Sequence, residues 1–151
     1  MERITIIHPD KKRKMIDFEA NADDYISWGT GRAVGIMLLP LPIADLPALM
    51  ANEAYMIYRI AKAYGYDIDS SMVSMLAGMV GGILTRRLLF SLIPILKVPI
   101  AAGITYAMGK AAKAYFASGM TLSREALKKE FTRARRKANT IDWYSMPPID
   151  V

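Results

Sequence analysis

Cysteine is absent from this chain of 151 residues, and histidine occurs once, at His8. No disulfide, thiolate metal site or cysteine nucleophile can be built, and a lone histidine without neighbouring ligands makes no metal centre. The phosphate-cradling pattern GxxxxGK[ST] does not occur, and the Gly29-Thr30-Gly31 stretch does not complete GxGxxG. No serine sits in a GxSxG elbow, and the acids are scattered without a two-carboxylate pair. The sequence therefore offers no catalytic, cofactor-binding or metal-ligating residue, and predicts no cofactor and no enzymatic activity.

Hydrophobic runs of bilayer length are missing as well. A spanning helix needs about 20 consecutive apolar residues. The longest uncharged runs cover 70–85, 98–109 and 33–44, and each is shorter than that. The opening MERITIIHPDKKRK carries two acids and no long apolar run, so it does not read as a signal peptide. These absences predict a cytoplasmic protein, with attachment at the inner face of a membrane as its nearest approach to lipid.

What the chain does have is apolar residues (53%), eleven methionines, a mean hydropathy of +0.19 and a net charge of +6. Its length suits one domain with a sizeable core. Residues 70–109 are almost unbroken apolar sequence, charged only at Arg86, Arg87 and Lys97. Such a segment is either the buried centre of a helical protein or a membrane-inserted hairpin. The shortness of the runs favours the core, because two adjacent arginines inside hydrocarbon would each cost about 2.5–3.5 kcal/mol.

The expected fold is all-α, with about five helices around a central apolar helical hairpin and a short N-terminal extended arm. Its divisions are an arm over 1–21, a helical domain over 22–138 and a tail over 139–151. A first helix spans about 22–39, weakened by its glycines. Asp45 caps a second that ends at Gly65, with Leu46, Leu49, Met50, Ala54, Ile57, Ile60, Ala61 and Tyr64 on one face. Asp67 or Asp69 caps a third that runs to about 92; apolar all round, it should be enclosed by protein or lipid. A fourth covers 98–118, entered near Pro99 and closed by Gly119. Ser123 caps a fifth over 124–138.

Glu53 falls within the apolar stripe of the second helix, where an unpaired carboxylate would be costly or protonated. Arg86 and Arg87 are the cations expected to meet it, in a structural ion pair that sets how two helices cross. Gly78 and Gly82 form a GxxxG, and Gly103 and Ala107 continue a small-residue track on the next helix, so these four are expected at close helix contacts. In the fifth helix Leu127, Phe131, Ala134 and Ala138 line one side. Lys128, Lys129, Arg133, Arg135, Arg136 and Lys137 occupy much of the rest, followed by Trp143. A basic helix beside an aromatic marks a membrane or partner surface. Nucleic acid ranks last among its partners, because no base-stacking aromatics interleave with the charges.

Four segments in order carry a likeness to a known family: PLPIADLPALMANEAYMIYRIAKAYGYDI, AGMVGGIL, LIPILKVPIAAGITYAMGKAAKAYF and SGMTLSREALKKEF. Over about 31–138 the chain resembles the GTPase-associated, YcjF-like domain-of-unknown-function 697 family. The resemblance implies a membrane-associated α-helical module of the kind found beside Era-like GTPase domains. This chain contains no GTPase domain, so such a partnership would be in trans. The expected function is a non-catalytic, self-associating interaction or scaffold module that docks to an anionic membrane surface or to a small GTPase. The alternative is an integral inner-membrane protein with residues 70–117 inserted as a hairpin.

Overall fold

The computed structural model describes residues 9–38, 45–80 and 94–143, with side chains placed for 18, 20–37, 48–78 and 98–143. These residues form five α-helices and no strand. In chain order they are α1 (Pro9–Leu38), α2 (Asp45–Ala63), α3 (Ser70–Val80), α4 (Pro94–Ala117) and α5 (Arg124–Ala138). The all-α expectation holds.

Local chemistry sets the helix ends. Asp69 Oδ1 accepts from the Met72 amide at 2.9 Å and opens α3, which decides between the two aspartates considered for that cap. Ser123 Oγ accepts from the Ala126 amide at 3.1 Å and opens α5. Gly65 (φ 81°) ends α2, with Tyr66 N–H bonded to the Ala61 carbonyl and Gly65 N–H to that of Lys62. Gly119 (φ 72°) ends α4 with the same pair of bonds, to Tyr115 and Phe116. Both are Schellman stops, in which a left-handed residue lets trailing amides satisfy carbonyls that the helix leaves free.

Two boundaries differ from expectation. α1 opens at Pro9 rather than near residue 22, so most of the expected arm is helical, and residues 1–8 lie outside the described residues. Pro9 suits a first helical turn, and the Lys, Arg, Met and Glu that follow are good helix formers. α4 opens at Pro94 and continues through Pro99, which lacks an amide to donate but sits near the start of a helix held by packing on several sides.

α4 is the centre of the fold. It forms a helical hairpin with α5 and also packs against α1 and α2. Val98, Ala101, Ile104, Thr105, Ala107, Met108, Ala111 and Phe116 are buried, and Tyr106, Lys110 and Lys113 are half-buried on the remaining side. An evenly apolar sequence therefore becomes a central helix. α3 packs to one side through Val73 and Leu76, while Met75 stays 45% exposed. Its described part is thus not enclosed by protein on every side, and the continuation over 81–92 lies outside the described residues.

Met56 marks the junction of three helices. It is fully buried, and a Cβ added to Gly29 of α1 would meet its Sδ at 2.6 Å. A Cβ on Gly109 of α4 would meet Ile26 at 2.8 Å and the same sulfur at 3.1 Å. These two glycines let α1 and α4 close on one thioether, whose flexibility fills the irregular space between backbones. An ionic clamp reinforces the α1–α4 contact: Lys110 and Lys113 donate to the two oxygens of Asp23 at 2.7 and 2.9 Å. Burial pushes the Asp23 pKa up, but the two lysine bonds outweigh it and hold the carboxyl below its ordinary value.

Candidate functional site

The buried polar residues lie on α1, α2 and α4. Glu53 is 3% exposed and faces α4, where Thr105 Oγ1 donates to its Oε1 over a long 3.5 Å. Burial pushes this carboxyl up to about 7, and the Thr105 bond offsets the rise only slightly. Among the described residues no cation pairs with Glu53. The expected partners, Arg86 and Arg87, lie outside the described residues. Glu53 is therefore placed as a protonatable group in the core, within the stripe that its sequence position indicated.

That stripe differs from expectation at one methionine. Leu49, Ile57, Ile60 and Ala61 are buried as anticipated, but Met50 is 55% exposed and Met56 takes the core position instead. Asn52 is buried beside them and ties α2 to α1. Its Nδ2 donates to the Gly29 carbonyl at 2.8 Å, and its Oδ1 accepts from Arg32 Nε at 2.8 Å.

From Asn52 outwards, the α1–α2 surface carries alternating cations and aromatic rings. The Arg32 guanidinium lies 5.3 Å from the centroid of the Tyr55 ring, and that of Arg59 lies 5.9 Å from the same ring. Arg59 also sits 4.7 Å from the Tyr25 ring and donates to the Tyr25 hydroxyl at 2.7 Å. That hydrogen bond, with the neighbouring tyrosines, raises the Arg59 pKa further. Arg32, Gly35, Ile36, Asn52 and Tyr55 line an open hollow of about 550 Å³. Tyr55 is 50% exposed at its edge, and Trp28 is partly exposed on α1. Sequence reading passed over this site because its members come from two separate helices. The i, i+3, i+7 spacing of Tyr25, Trp28 and Arg32, matched by Asn52, Tyr55 and Arg59, was the available signal.

The basic helix is assembled as its sequence suggests. Leu127, Phe131, Ala134 and Ala138 are buried, and α5 packs chiefly on α4. Lys128, Lys129, Arg133, Arg136 and Lys137 are exposed, and Arg135 is half-buried. Arg133 bonds Glu130 at 3.1 Å within the helix.

Trp143 requires a correction. It is 5% exposed and packs with Val98, Ala102 and Ala138, its ring 5.9 Å from that of Tyr106, so it anchors the end of α5 and is not part of an outer surface. A turn after α5, with Thr140 N–H bonded to the Lys137 carbonyl and Ile141 N–H to that of Ala138, folds the chain back over α4.

The four small residues expected at close contacts divide. Ala107 is fully buried, and a Cβ added to Gly103 would meet that of Ala138 at an ordinary 3.7 Å. Gly78 is exposed, with open space where a Cβ would project, so it makes no close contact with another described helix. Gly82 lies outside the described residues. Gly29 and Gly109 hold the close approaches instead.

Among the described residues, no three of His, Cys, Asp and Glu converge as metal ligands, and no helix is long and apolar enough to cross a membrane. Among the described residues the geometry defines an all-α arrangement with two cationic surfaces, one aromatic-rich across α1 and α2 and one lysine- and arginine-rich on α5. No family model, no curated protein and no solved structure matches the chain.

Proposed function

We propose that the protein is a non-catalytic helical interaction module that docks peripherally on an anionic membrane surface through the exposed face of α5. One observation carries this reading: the apolar face of α5 is already seated on α4, while its cations face outward. Such a helix has no free apolar face to sink between acyl chains, so its attraction to lipid is electrostatic. Each lysine or arginine near an anionic surface contributes about 1 kcal/mol, so Lys128, Lys129, Arg136 and Lys137, exposed and outside the Arg133–Glu130 pair, suffice for salt-sensitive binding. The enclosure of α4 by α1, α2 and α5 supports this peripheral mode over an inserted hairpin at 70–117.

Cosedimentation with vesicles tests it. Vesicles containing phosphatidylglycerol should bind the protein at low salt and release it at high salt, and phosphatidylcholine vesicles should not bind it. The Lys128→Glu/Arg136→Glu double variant should lose most of the binding. Salt-resistant association released only by detergent would refute peripheral docking and favour the inserted hairpin.

The same reading includes two partners that the sequence suggests: a second copy of the chain and a small GTPase in trans. Self-association draws on the exposed Met75 beside Gly78 on α3, and the GTPase on the family resemblance alone. A monomeric solution mass would remove the first, and a pull-down without a nucleotide-dependent partner would remove the second.

A further inference from the structure

On the α1–α2 surface two arginines are held in place by neutral side chains. Lys62, Lys110, Lys113 and Arg133 each have a carboxylate within ion-pair distance. Arg32 and Arg59 have none among the described residues. Arg32 is fixed through Nε by Asn52, itself anchored on the Gly29 carbonyl, and Arg59 is fixed by the Tyr25 hydroxyl. Arg59 Nε is buried without a hydrogen-bond partner. Both guanidiniums remain charged, both are oriented by neutral groups, and both flank the half-exposed ring of Tyr55.

Holding two long cationic side chains in place without a counter-charge costs conformational entropy and places like charges near each other. Stability of the monomer does not call for it. It does suit recognition, because a guanidinium already held in one plane can take a carboxylate in a bidentate pair with little further ordering. Arginine, tyrosine and tryptophan are also the residues that dominate protein-binding hot spots. The hollow beside Tyr55 is open and shallow, whereas small-molecule sites enclose most of their ligand. Two arginines are too few for a lipid surface, and Lys62, next along α2, is already engaged by Asp67 at 3.4 Å.

We propose that the α1–α2 face centred on Tyr55 is a docking site for an acidic peptide segment of a partner protein, with Arg32 and Arg59 each taking a carboxylate and Tyr55 packing against an apolar side chain between them. The site is independent of α5 and of its proposed contact with lipid.

The test uses the full chain and two synthetic helical peptides, one with glutamates flanking a leucine and one with glutamines in their place. In a nitrogen-15 NMR titration the glutamate peptide should shift the Arg32 and Arg59 Nε–Hε signals. It should also bind about tenfold more tightly than its glutamine counterpart, the worth of one good charge pair. Tyr55→Ala, at a half-exposed position, should weaken binding while leaving the melting temperature near that of the parent. The Arg32→Glu/Arg59→Glu protein should reverse preference and bind a lysine version of the peptide, a gain that a misfolded variant could not show. Shifts confined to α5, retention of glutamate-peptide binding by the reversed variant, or arginine shifts produced by inorganic phosphate or phosphatidylglycerol vesicles but not by the peptide would overturn the proposal.

Discussion

Replacing Glu53 by glutamine isolates the energetic consequence of a carboxyl buried with one weak hydrogen bond. Its pKa is pushed from the ordinary 4.5 to about 7 by burial. Because the folded state holds the proton more tightly than the unfolded state, the group costs nothing below about pH 4.5. Its penalty grows as pH rises and is complete above about pH 7. At 1.36 kcal/mol per pKa unit, the full penalty is about 3 kcal/mol. The Glu53→Gln variant keeps the shape and removes the charge. Urea denaturation of both proteins from pH 4 to pH 8.5 gives the difference in unfolding free energy, in which the other titrating groups largely cancel. That difference should be flat at the acid end, should rise in favour of glutamine by about 3 kcal/mol across pH 4.5–7, and should then level off. A difference independent of pH would refute the argument. A slope of opposite sign would show Glu53 ionised beside a cation, the arrangement that the sequence suggests for Arg86 or Arg87.

Three further perturbations address the packing and the aromatic anchors. Gly109→Ala forces a Cβ against Ile26 and Met56 and should cost about 1–3 kcal/mol by thermal denaturation, whereas Gly103→Ala, meeting Ala138 at 3.7 Å, should be neutral or slightly stabilising. Iodide should quench Trp28 and spare Trp143, read by comparing Trp28→Phe with Trp143→Phe; equal quenching would remove Trp143 from the core. Asp23→Asn should cost about 1 kcal/mol or less, since the carboxylate is 45% exposed and screened by solvent; its contribution is present above the ordinary carboxylate range and is lost as pH falls through the depressed pKa.

Particular residues show where sequence reasoning reached and where it stopped. Helix ends were legible because capping is local: Ser123 reaches the amide three residues on, and Gly65 and Gly119 adopt the left-handed turn at no steric cost. The seam of Leu127, Phe131, Ala134 and Ala138 was legible because one helical period sorts apolar from charged side chains. Met50 and Met56 could not be told apart by the same logic. Both border the stripe, and only the gap between Gly29 and Gly109 decides which thioether is buried. Trp143 misled for a related reason: an aromatic after a basic helix suits an interface, but the turn at 139–141 directs it inward.

The sequence by itself determined the helical class, the stops at Gly65 and Gly119, the Ser123 cap, the basic outer face of α5 and the burial of Glu53. Each depends on residues within one or two turns of one another. Tertiary structure alone decided that α4 packs at once against α1, α2 and α5, that Met56 sits where three helices meet, and that Arg32, Tyr55 and Arg59 share one surface. Those outcomes depend on which helices approach and how closely, and that follows from side-chain volumes and backbone gaps on separate segments, which no local periodicity records.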